Sequence, residues 1–479
     1  MILMVIQAYP FVIGFRVSPD DILYHWYALQ GPLVWLEAAS HFAKEQGRIG
    51  HFLSVPLMMA GAELSGLLAM RIMIVIAYFG VFLGAAYFVS LVLNKQLTCW
   101  IFLWLVSFNA LGYSHLPPNA YPLLITIPLL CILAANIFLL RASKKAKEPS
   151  ITKTVATFLI LTIALLTHEY SMIFGGLLFG IECLVGLTSR SKRTFDNHGH
   201  SNQYVMQLIG KVNLLAILTA SIAYGLFRFN FPSNYAGNTT QGIGSPLLAL
   251  KTLLAHAYFG TSLGPAVTFQ NIFISLPSLQ TLAPLQIGGT LFVGMLTGVL
   301  CWILSQQIDC TNRWIWPMVI AVIFGVLCAL PIAVTSKYQQ WITSCSFQDG
   351  GIGCAYIDSR LSYIGYFCAL ALLPLSVLSL MISEIKKRYV RCTISLLLGL
   401  IGGYTYLHNW AVSEQMRQYV SPWKIANQLA CTTSWKSMSA TYLSEKIDPN
   451  HVLLYHSDFD QAQYWRVYLS KLAHSSSCR

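Results

Sequence analysis

Two adjacent carboxylates, Asp20 and Asp21, stand just past a hydrophobic N-terminal segment, in the stretch Ser18-Pro19-Asp20-Asp21. One reading is local: with Pro19 before it, an acid here caps a helix N-terminus. The other is chemical. A carboxylate at a membrane interface loses solvation, its pKa rises, and it becomes a better general base toward an acceptor hydroxyl. Neighbouring residues point different ways, so one acid serves as base while the other positions substrate or a metal. Both readings stand at this point.

Cations and histidines follow. Gln46-Gly47-Arg48-Ile49-Gly50-His51 places an Arg beside a flexible glycine. A guanidinium binds phosphate oxygens in pairs and keeps its charge in any environment. The plain alternative is an Arg snorkelling at a helix end. Arg71 heads a long apolar run, and Lys337-Tyr338 and Arg360 flank a later loop. These cations suit a phosphate or pyrophosphate, or simply lipid headgroups. His168-Glu169 closes another apolar run, and His115 sits before Pro117-Pro118. His51, His115, His168, Glu169 and Tyr338 are candidate substrate contacts; a hydrogen-bonded structural pair is the alternative for His168-Glu169. Glu63 and Glu182 are lone acids and carry no assignment.

The elements that must position these residues are membrane helices. The chain has 479 residues, 56% hydrophobic and 10% charged, against about 25% charged in a soluble domain. Its apolar runs are about 17–23 residues long, as helices spanning lipid require, and not the alternating runs of about ten that a barrel needs. The net charge of +12 does not indicate nucleic acid. Thirteen of the 30 Lys and Arg residues lie in Arg141–Thr154, Arg190–Lys211 and Glu384–Arg391, the pattern of cytoplasmic loops.

This reading gives an all-α polytopic membrane protein of about eleven transmembrane helices: Met1–Phe15, Ile72–Leu93, Leu97–Gly112, Tyr121–Leu140, Val155–Thr167, Met172–Leu187, Val212–Phe229, Leu285–Leu304, Trp314–Val334, Leu361–Met381 and Cys392–Trp410. Phe52–Met70, broken by Pro56, Gly61, Glu63 and Gly66, is a juxtamembrane or re-entrant helix, since counting it as a span would put Arg141–Thr154 outside. Leu33–Lys44 is a short amphipathic surface helix. Asn230–Pro284 is an outer stretch with weak helix around Leu247–Phe259, and Thr335–Arg360 is an outer loop. Residues 1–410 form the membrane module, with residues 16–71 as its outer loop, and residues 411–479 a small outer segment. Outer cysteines suggest two disulfides, Cys345–Cys354 and Cys431–Cys478. No Walker loop, dinucleotide fingerprint, HExxH or GxSxG is present.

A first helix, an outer loop opening on Asp20-Asp21, Gly47-Arg48 before an amphipathic segment, and Arg71 at the head of the next span together resemble the GT-C superfamily of membrane glycosyltransferases. Relatives of that kind include lipid A aminoarabinose transferases, protein mannosyltransferases and phage-type O-antigen glucosyltransferases. The resemblance covers the first hundred residues best and later spans in layout only. It implies an inverting transfer of sugar from a polyprenyl-phosphate donor to a glycan or lipid acceptor, on the periplasmic face of a bacterial inner membrane. Asp20 or Asp21 would be the general base, and Arg48, Arg71, Lys337 and Arg360 donor-phosphate contacts. Some members need a divalent metal and others none, and these residues leave both open. The tail is too short for the soluble domain of oligosaccharyltransferases and lacks their WWD-type motif. Rival readings are an O-antigen polymerase or ligase, a lipid-linked sugar transporter, and a noncatalytic assembly factor.

Overall fold

The computed structural model describes residues 2–13, 21–111, 118, 120–144, 150–192, 199–235, 246–261, 284–308, 314–344, 358–381, 383–416, 421–449 and 460–473. Asp20, His115, Cys345, Cys354 and Cys478 lie outside them. Among the described residues the chain is helical, without strands. Helix α1 (Ile2–Ile13) leads to three shorter helices, α2 (Ile22–Gln30), α3 (Pro32–Gln46) and α4 (His51–Leu64), and then to the long α5 (Leu68–Leu93). Next come α6 (Thr98–Ser107), α7 (Thr126–Lys144), α8 (Ile151–Thr167), α9 (Glu169–Lys192), α10 (Gly199–Asn230) and α11 (Pro246–Phe259). The bundle is completed by α12 (Pro284–Gln307), α13 (Ile315–Ala333), α14 (Ser336–Ser344), α15 (Asp358–Ser379) and α16 (Glu384–Met416). The tail holds α17 (Ser421–Ala430), α18 (Ala440–Ile447) and α19 (Gln461–Ala473).

Among the described residues six segments are long and apolar enough to cross a membrane: Leu68–Leu93, Gly210–Asn230, Gln286–Gln307, Ile315–Ala333, Arg360–Ser379 and Glu384–Glu414. The apolar helices Ile2–Ile13, Thr98–Ser107, Thr126–Ala142 and Ile151–Thr167 are shorter. The chain is thus a helical protein with membrane-spanning candidates. Phe52–Met70 resolves into most of α4, a turn at Ser65–Leu67 and the start of α5, so the chain breaks between α4 and the long apolar helix, which begins at Leu68 rather than Ile72.

Several boundaries differ from expectation. α10 begins inside the basic stretch Arg190–Lys211, and α16 begins at Glu384, inside the third one. Basic side chains do not oppose helix, and Lys387 pairs with Glu384 one turn away at 2.7 Å. The Thr335–Arg360 stretch contains α14, whose nine residues include neither Gly nor Pro. α6 stops at Ser107 rather than Gly112 because the next residues are claimed by side chains: Asn409 donates to the Asn109 carbonyl (2.9 Å) and accepts from the Leu111 N–H (2.6 Å).

Within the bundle, α12 and α16 meet through glycines. A Cβ at Gly294 would lie 3.0 Å from the Gly399 carbonyl oxygen, and one at Gly399 would lie 2.8 Å from that of Gly294. Small residues let membrane helices approach this closely. α1 is pinned at its end: Arg71 Nε donates to the carbonyls of Phe11 (3.2 Å) and Val12 (3.0 Å), and the Ser413 hydroxyl donates to that of Pro10. The last carbonyls of a helix have no intrahelical partner, so these donors replace water.

The tail packs back onto α2 and α4. Trp423, Tyr464, Trp465, Leu469 and Ile447 share one apolar cluster with Ile22 of α2 and Ala62 of α4. Trp423 Nε1 donates to the Tyr464 hydroxyl (3.0 Å), which contacts His25 Nδ1 (2.6 Å). His25 Nε2 meets Glu63 at 3.3 Å, and Lys471 meets the other oxygen at 3.0 Å. The tautomer protonated on Nε2 satisfies both contacts of His25. Cys431, between α17 and α18, is disulfide-bonded.

Two outcomes are expected. Gly294→Val forces α12 off α16, and overpacking of this kind costs about 1–3 kcal/mol, so the melting temperature in detergent should fall by several degrees. Gly288→Val, where nothing lies within 4 Å, should leave it unchanged. The hydrogen bond from His25, with Lys471 adding to it, holds the Glu63 carboxyl down at about 2. A depressed carboxyl stabilises above its unfolded value of 4.5 and loses that contribution as pH falls toward about 2. Hydrogen-exchange protection of α19, corrected for the intrinsic amide rate at each pH, should therefore fall across that window, and Glu63→Gln should show the lower protection already at pH ~7.

Candidate functional site

The site is built around the turn from Gly47 to His51. Gly47 ends α3 in the left-handed region, with φ of +61°, where glycine carries no Cβ penalty. The turn is wedged between two other chain segments. A Cβ at Gly47 would lie 2.5 Å from the Phe231 carbonyl oxygen, just past α10. One at Gly50 would fall within 2.4 Å of the Tyr224 hydroxyl and the Leu166 carbonyl oxygen. Neither position has room for a side chain. The two glycines therefore press Arg48 against the corner between α8 and α9.

At that corner Arg48 Nε lies 2.7 Å from Glu169 Oε1, with both side chains largely covered. Arg48 Nη1 donates to Gln46 Oε1 at 3.3 Å. Gln46 Oε1 also contacts His51 Nε2 at 3.0 Å, and His51 Nδ1 contacts the Ser54 hydroxyl at 2.9 Å. A neutral His51, donating from Nε2 and accepting at Nδ1, fits both partners. His168 Nδ1 lies 3.6 Å from Glu169 Oε2, and its ring stacks on Tyr170 with 4.9 Å between centroids.

Tyr235, four residues past Phe231, extends the set. The Arg48 guanidinium lies 5.9 Å from the centre of its ring. Lys337 at the start of α14 donates to its hydroxyl at 2.6 Å and stands 5.0 Å from the same ring centre. Lys337 thus lies off the hydroxyl edge and is held by the hydrogen bond, while Arg48 is at the outer limit of cation–π reach. Tyr338 is buried and meets His256 of α11 edge to face at 5.8 Å.

The charge states follow from burial and neighbours. Burial, then the nearby Arg48 and His168, lowers His51 to about 3. Burial lowers His168 to about 4, with Arg48 adding to it and Glu169 opposing. Burial would raise Glu169, but Arg48 and His168 outweigh it and hold the carboxyl at about 2. Among the described residues the cluster thus sets Arg48 and Lys337 beside one ionised carboxylate and two imidazoles that burial keeps neutral near neutral pH. It can hold an anion and stabilise negative charge that develops on it.

The structure brings Arg48, His51, His168, Glu169, Lys337 and Tyr338 into this chain of contacts. Arg71 and Arg360 belong elsewhere. Arg71 is buried and pins α1. Arg360 is buried at the head of α15, where Nη1 donates to Asn109 Oδ1 (3.2 Å) and Nη2 to the Ala110 carbonyl (2.7 Å). Tyr78 donates to the same Asn109 oxygen at 3.1 Å. Both arginines serve backbone and polar groups in irregular segments, which hydrocarbon would otherwise leave unsatisfied. Asp21 occupies the N-cap position of α2 but makes no capping bond. Its buried carboxylate accepts from the Tyr121 N–H at 3.1 and 3.3 Å, locking a residue with φ of +51°. Sequence reasoning gave no role to Tyr235, His256, Tyr224 or Gln46. For Gln46 the signal was adjacency to Gly47-Arg48; for Tyr235 it was an aromatic in a polar outer stretch.

Among the described residues no three of His, Cys, Asp or Glu come together to hold a metal ion. No family model, curated protein or solved structure matches this chain significantly.

Arg48→Gln removes the countercharge of Glu169 and should destabilise the protein by roughly 1–3 kcal/mol, between the values for exposed and buried pairs. The depressed histidines have the opposite dependence from a paired His. Below their ordinary value of 6.5 the unfolded chain takes up protons that folded His51 and His168 refuse until about 3 and 4. Stability should fall as pH drops from about 6.5 toward 4, and His51→Gln should flatten that slope in thermal melts taken across the range.

Proposed function

We propose that this protein is an inverting GT-C-type glycosyltransferase that moves a sugar from a polyprenyl-phosphate donor to a glycan or lipid acceptor on the outer face of the membrane. In this reading the shorter apolar helices α1, α6, α7 and α8, together with α9, join the six long segments to make eleven spans. Residues 1–410 are the membrane module, and the tail is an outer cover. The observation that carries the proposal is the gathering of Arg48 and Lys337 about Tyr235, the one near its ring and the other on its hydroxyl, beside an ionised Glu169.

Breaking the anomeric C–O bond leaves charge on the donor's phosphate. Fixed cations that need not reorganise stabilise that charge as it forms. Arg48 is fixed by the glycine-bracketed turn and Glu169; Lys337 is fixed by Tyr235. The acceptor hydroxyl gives its proton to the Asp20-Asp21 pair as it attacks the anomeric carbon from the face opposite the phosphate, which inverts that centre. The buried Asp21 carboxylate accepts from the Tyr121 N–H, a bond that orients it; in this reading either member of the pair serves as the base.

A second reading, transport of a lipid-linked sugar, draws on one observation. Glu182 of α9 is buried and accepts from Asn213 Nδ2 at 2.7 Å, and Asn213 also donates to Asn136 at 2.9 Å. Ionisable groups inside a bundle commonly mark transport paths.

The discriminating experiment is sugar transfer in proteoliposomes with a panel of polyprenyl-phosphate sugars. Arg48→Gln and Lys337→Gln should each lower kcat by roughly 10²–10³-fold, the usual loss for a charge-stabilising donor. One of Asp20→Asn and Asp21→Asn should abolish turnover while donor still binds. If wild-type protein turns over no donor and Glu182→Gln abolishes lipid-linked sugar movement across the vesicle, transport replaces transfer.

A further inference from the structure

A cavity of about 480 Å³ opens where α5 ends, α6 begins and α12 ends. At 1.5 Å per residue, α5 carries its Asn94 end roughly 35 Å along the axis from Arg71. Among the described residues the cavity shares none with the Arg48 cluster. Its lining is of two chemistries. Leu91, Leu304 and Ile308 are apolar, while Asn94, Lys95, Gln96 and Gln307 bring hydrogen-bond donors. Lys95 is the charged residue among those described around it.

The polar part stands on a fixed turn. α5 ends at Asn94 in the left-handed region, with φ of +53°. The Ser90 hydroxyl donates to the Lys95 carbonyl and accepts from the Leu97 N–H at 3.1 Å. The Lys95 N–H returns to the Ser90 carbonyl at 3.1 Å. Trp100 is buried and donates from Nε1 to the Ala371 carbonyl at 2.6 Å, which makes its ring a firm wall. The Lys95 main chain is therefore held in place at the cavity. α6 starts at Thr98 without a capping side chain, and its first N–H groups add to the donors.

Two apolar tracks lead to the same place. On α5, Ile76 and Leu83 are exposed, and Tyr87, one turn on, lines the cavity. On α12, Val299 and Ile303 are exposed, and Gln307, one turn on, lines it too. Both helices belong to candidate spans, so hydrocarbon covers the tracks. Apolar tracks that end at a lysine and several amides complement an amphiphile with a phosphate-bearing head. Basic pockets between membrane helices hold such heads, and Tyr87 and Trp100 are the ring types that favour this depth. A lone lysine also selects by net charge. It neutralises the phosphate of an anionic headgroup, whereas a zwitterionic headgroup already carries its own ammonium.

We infer that this cavity binds the phosphodiester headgroup of an anionic membrane phospholipid through Lys95, Asn94, Gln96 and Gln307, with the lipid's chains lying along α5 and α12. The site is separate from any sugar donor, and the inference does not depend on sugar transfer.

Cys99 lines the cavity and is an exposed free thiol, so it reports occupancy. The full chain is placed in phosphatidylcholine nanodiscs with and without phosphatidylglycerol. Alkylation of Cys99 is followed by peptide mass spectrometry, and retained lipid by native mass spectrometry. Phosphatidylglycerol should slow Cys99 and stay bound, while the exposed Cys392 of α16 keeps its rate. Lys95→Gln should weaken retention about fivefold, the weight of one lysine near an anionic surface. Gln307→Leu should weaken it in the same direction and serves if the Lys95 variant fails to fold. Lys153→Gln, an exposed cation outside the cavity, should change nothing. An equal Cys99 rate with and without phosphatidylglycerol overturns the site, as does full protection in both Lys95→Gln and Gln307→Leu. Inorganic phosphate or glycerol 3-phosphate protecting Cys99 as well as phosphatidylglycerol does overturns the lipid and assigns the cavity to a soluble phosphate. The two proposals fail separately: protection without sugar transfer from any donor keeps this site and removes the enzyme, and transfer without protection does the reverse.

Discussion

The site depends on a backbone-to-backbone approach. The Gly47–His51 turn is driven between the chain just past α10 and the end of α8, closely enough that neither glycine has space for a methyl group. Three segments far apart in sequence are thereby fixed to one another, with the Tyr224 hydroxyl on the Leu166 carbonyl and Phe52 against Phe227 adding to the contact. Arg48 is carried into the corner where Glu169 begins α9, and the chain leaving α10 brings Tyr235 to meet it. Without that approach the Arg48–Glu169 pair would be an ordinary interfacial salt bridge, worth little. With it, both groups are largely covered and their geometry is set by main chain.

The cations divide into two kinds of work, and burial separates them. Arg71 and Arg360 are almost fully covered and donate to carbonyls at places where helix geometry fails: the end of α1 and the unwound residues after α6. In a low-dielectric bundle such carbonyls have no water, and a guanidinium with several donors satisfies more than one at once. Arg48 and Lys337 are more open, and an aromatic ring and a carboxylate hold them. Arg71 and Arg360 donate to main-chain carbonyls, whereas Arg48 and Lys337 meet side chains: the Glu169 carboxylate and Gln46 for the one, the Tyr235 hydroxyl for the other.

This division explains what the sequence could disclose. The helical, membrane-like character followed from composition, and α3, α4 and α11 were visible as short helices because glycines, prolines and polar residues bracket them. The Gly-Arg turn was also visible, since an Arg beside a glycine in an apolar chain needs an explanation. Sequence reasoning treated Arg48, Arg71, Lys337 and Arg360 alike, because a one-dimensional pattern gives position relative to span ends and not donor partners. The role of Asp21 was hidden for the same reason. Its partner is a backbone N–H a hundred residues away, and backbone donors leave no mark on residue type. Tyr235 was hidden because an aromatic at an interface needs no special reason. Boundaries of α10 and α16 were missed because charge marks the edge of the bilayer, not the edge of the helix.

The neutral histidines bear on what the site accepts. Two imidazoles stand within the field of Arg48, and burial with that field keeps protons off them. If they were charged, the cluster would hold four cations against one carboxylate, and the repulsion would fall on a turn that has no slack. Kept neutral, they leave Arg48, Lys337 and Glu169 as the charged members of this chain of contacts among the described residues. At an effective dielectric of about 20, a unit charge 4 Å away interacts by about 4 kcal/mol, so a proton added to either imidazole would push directly against Arg48, and the glycine turn that fixes Arg48 could not move to relieve it.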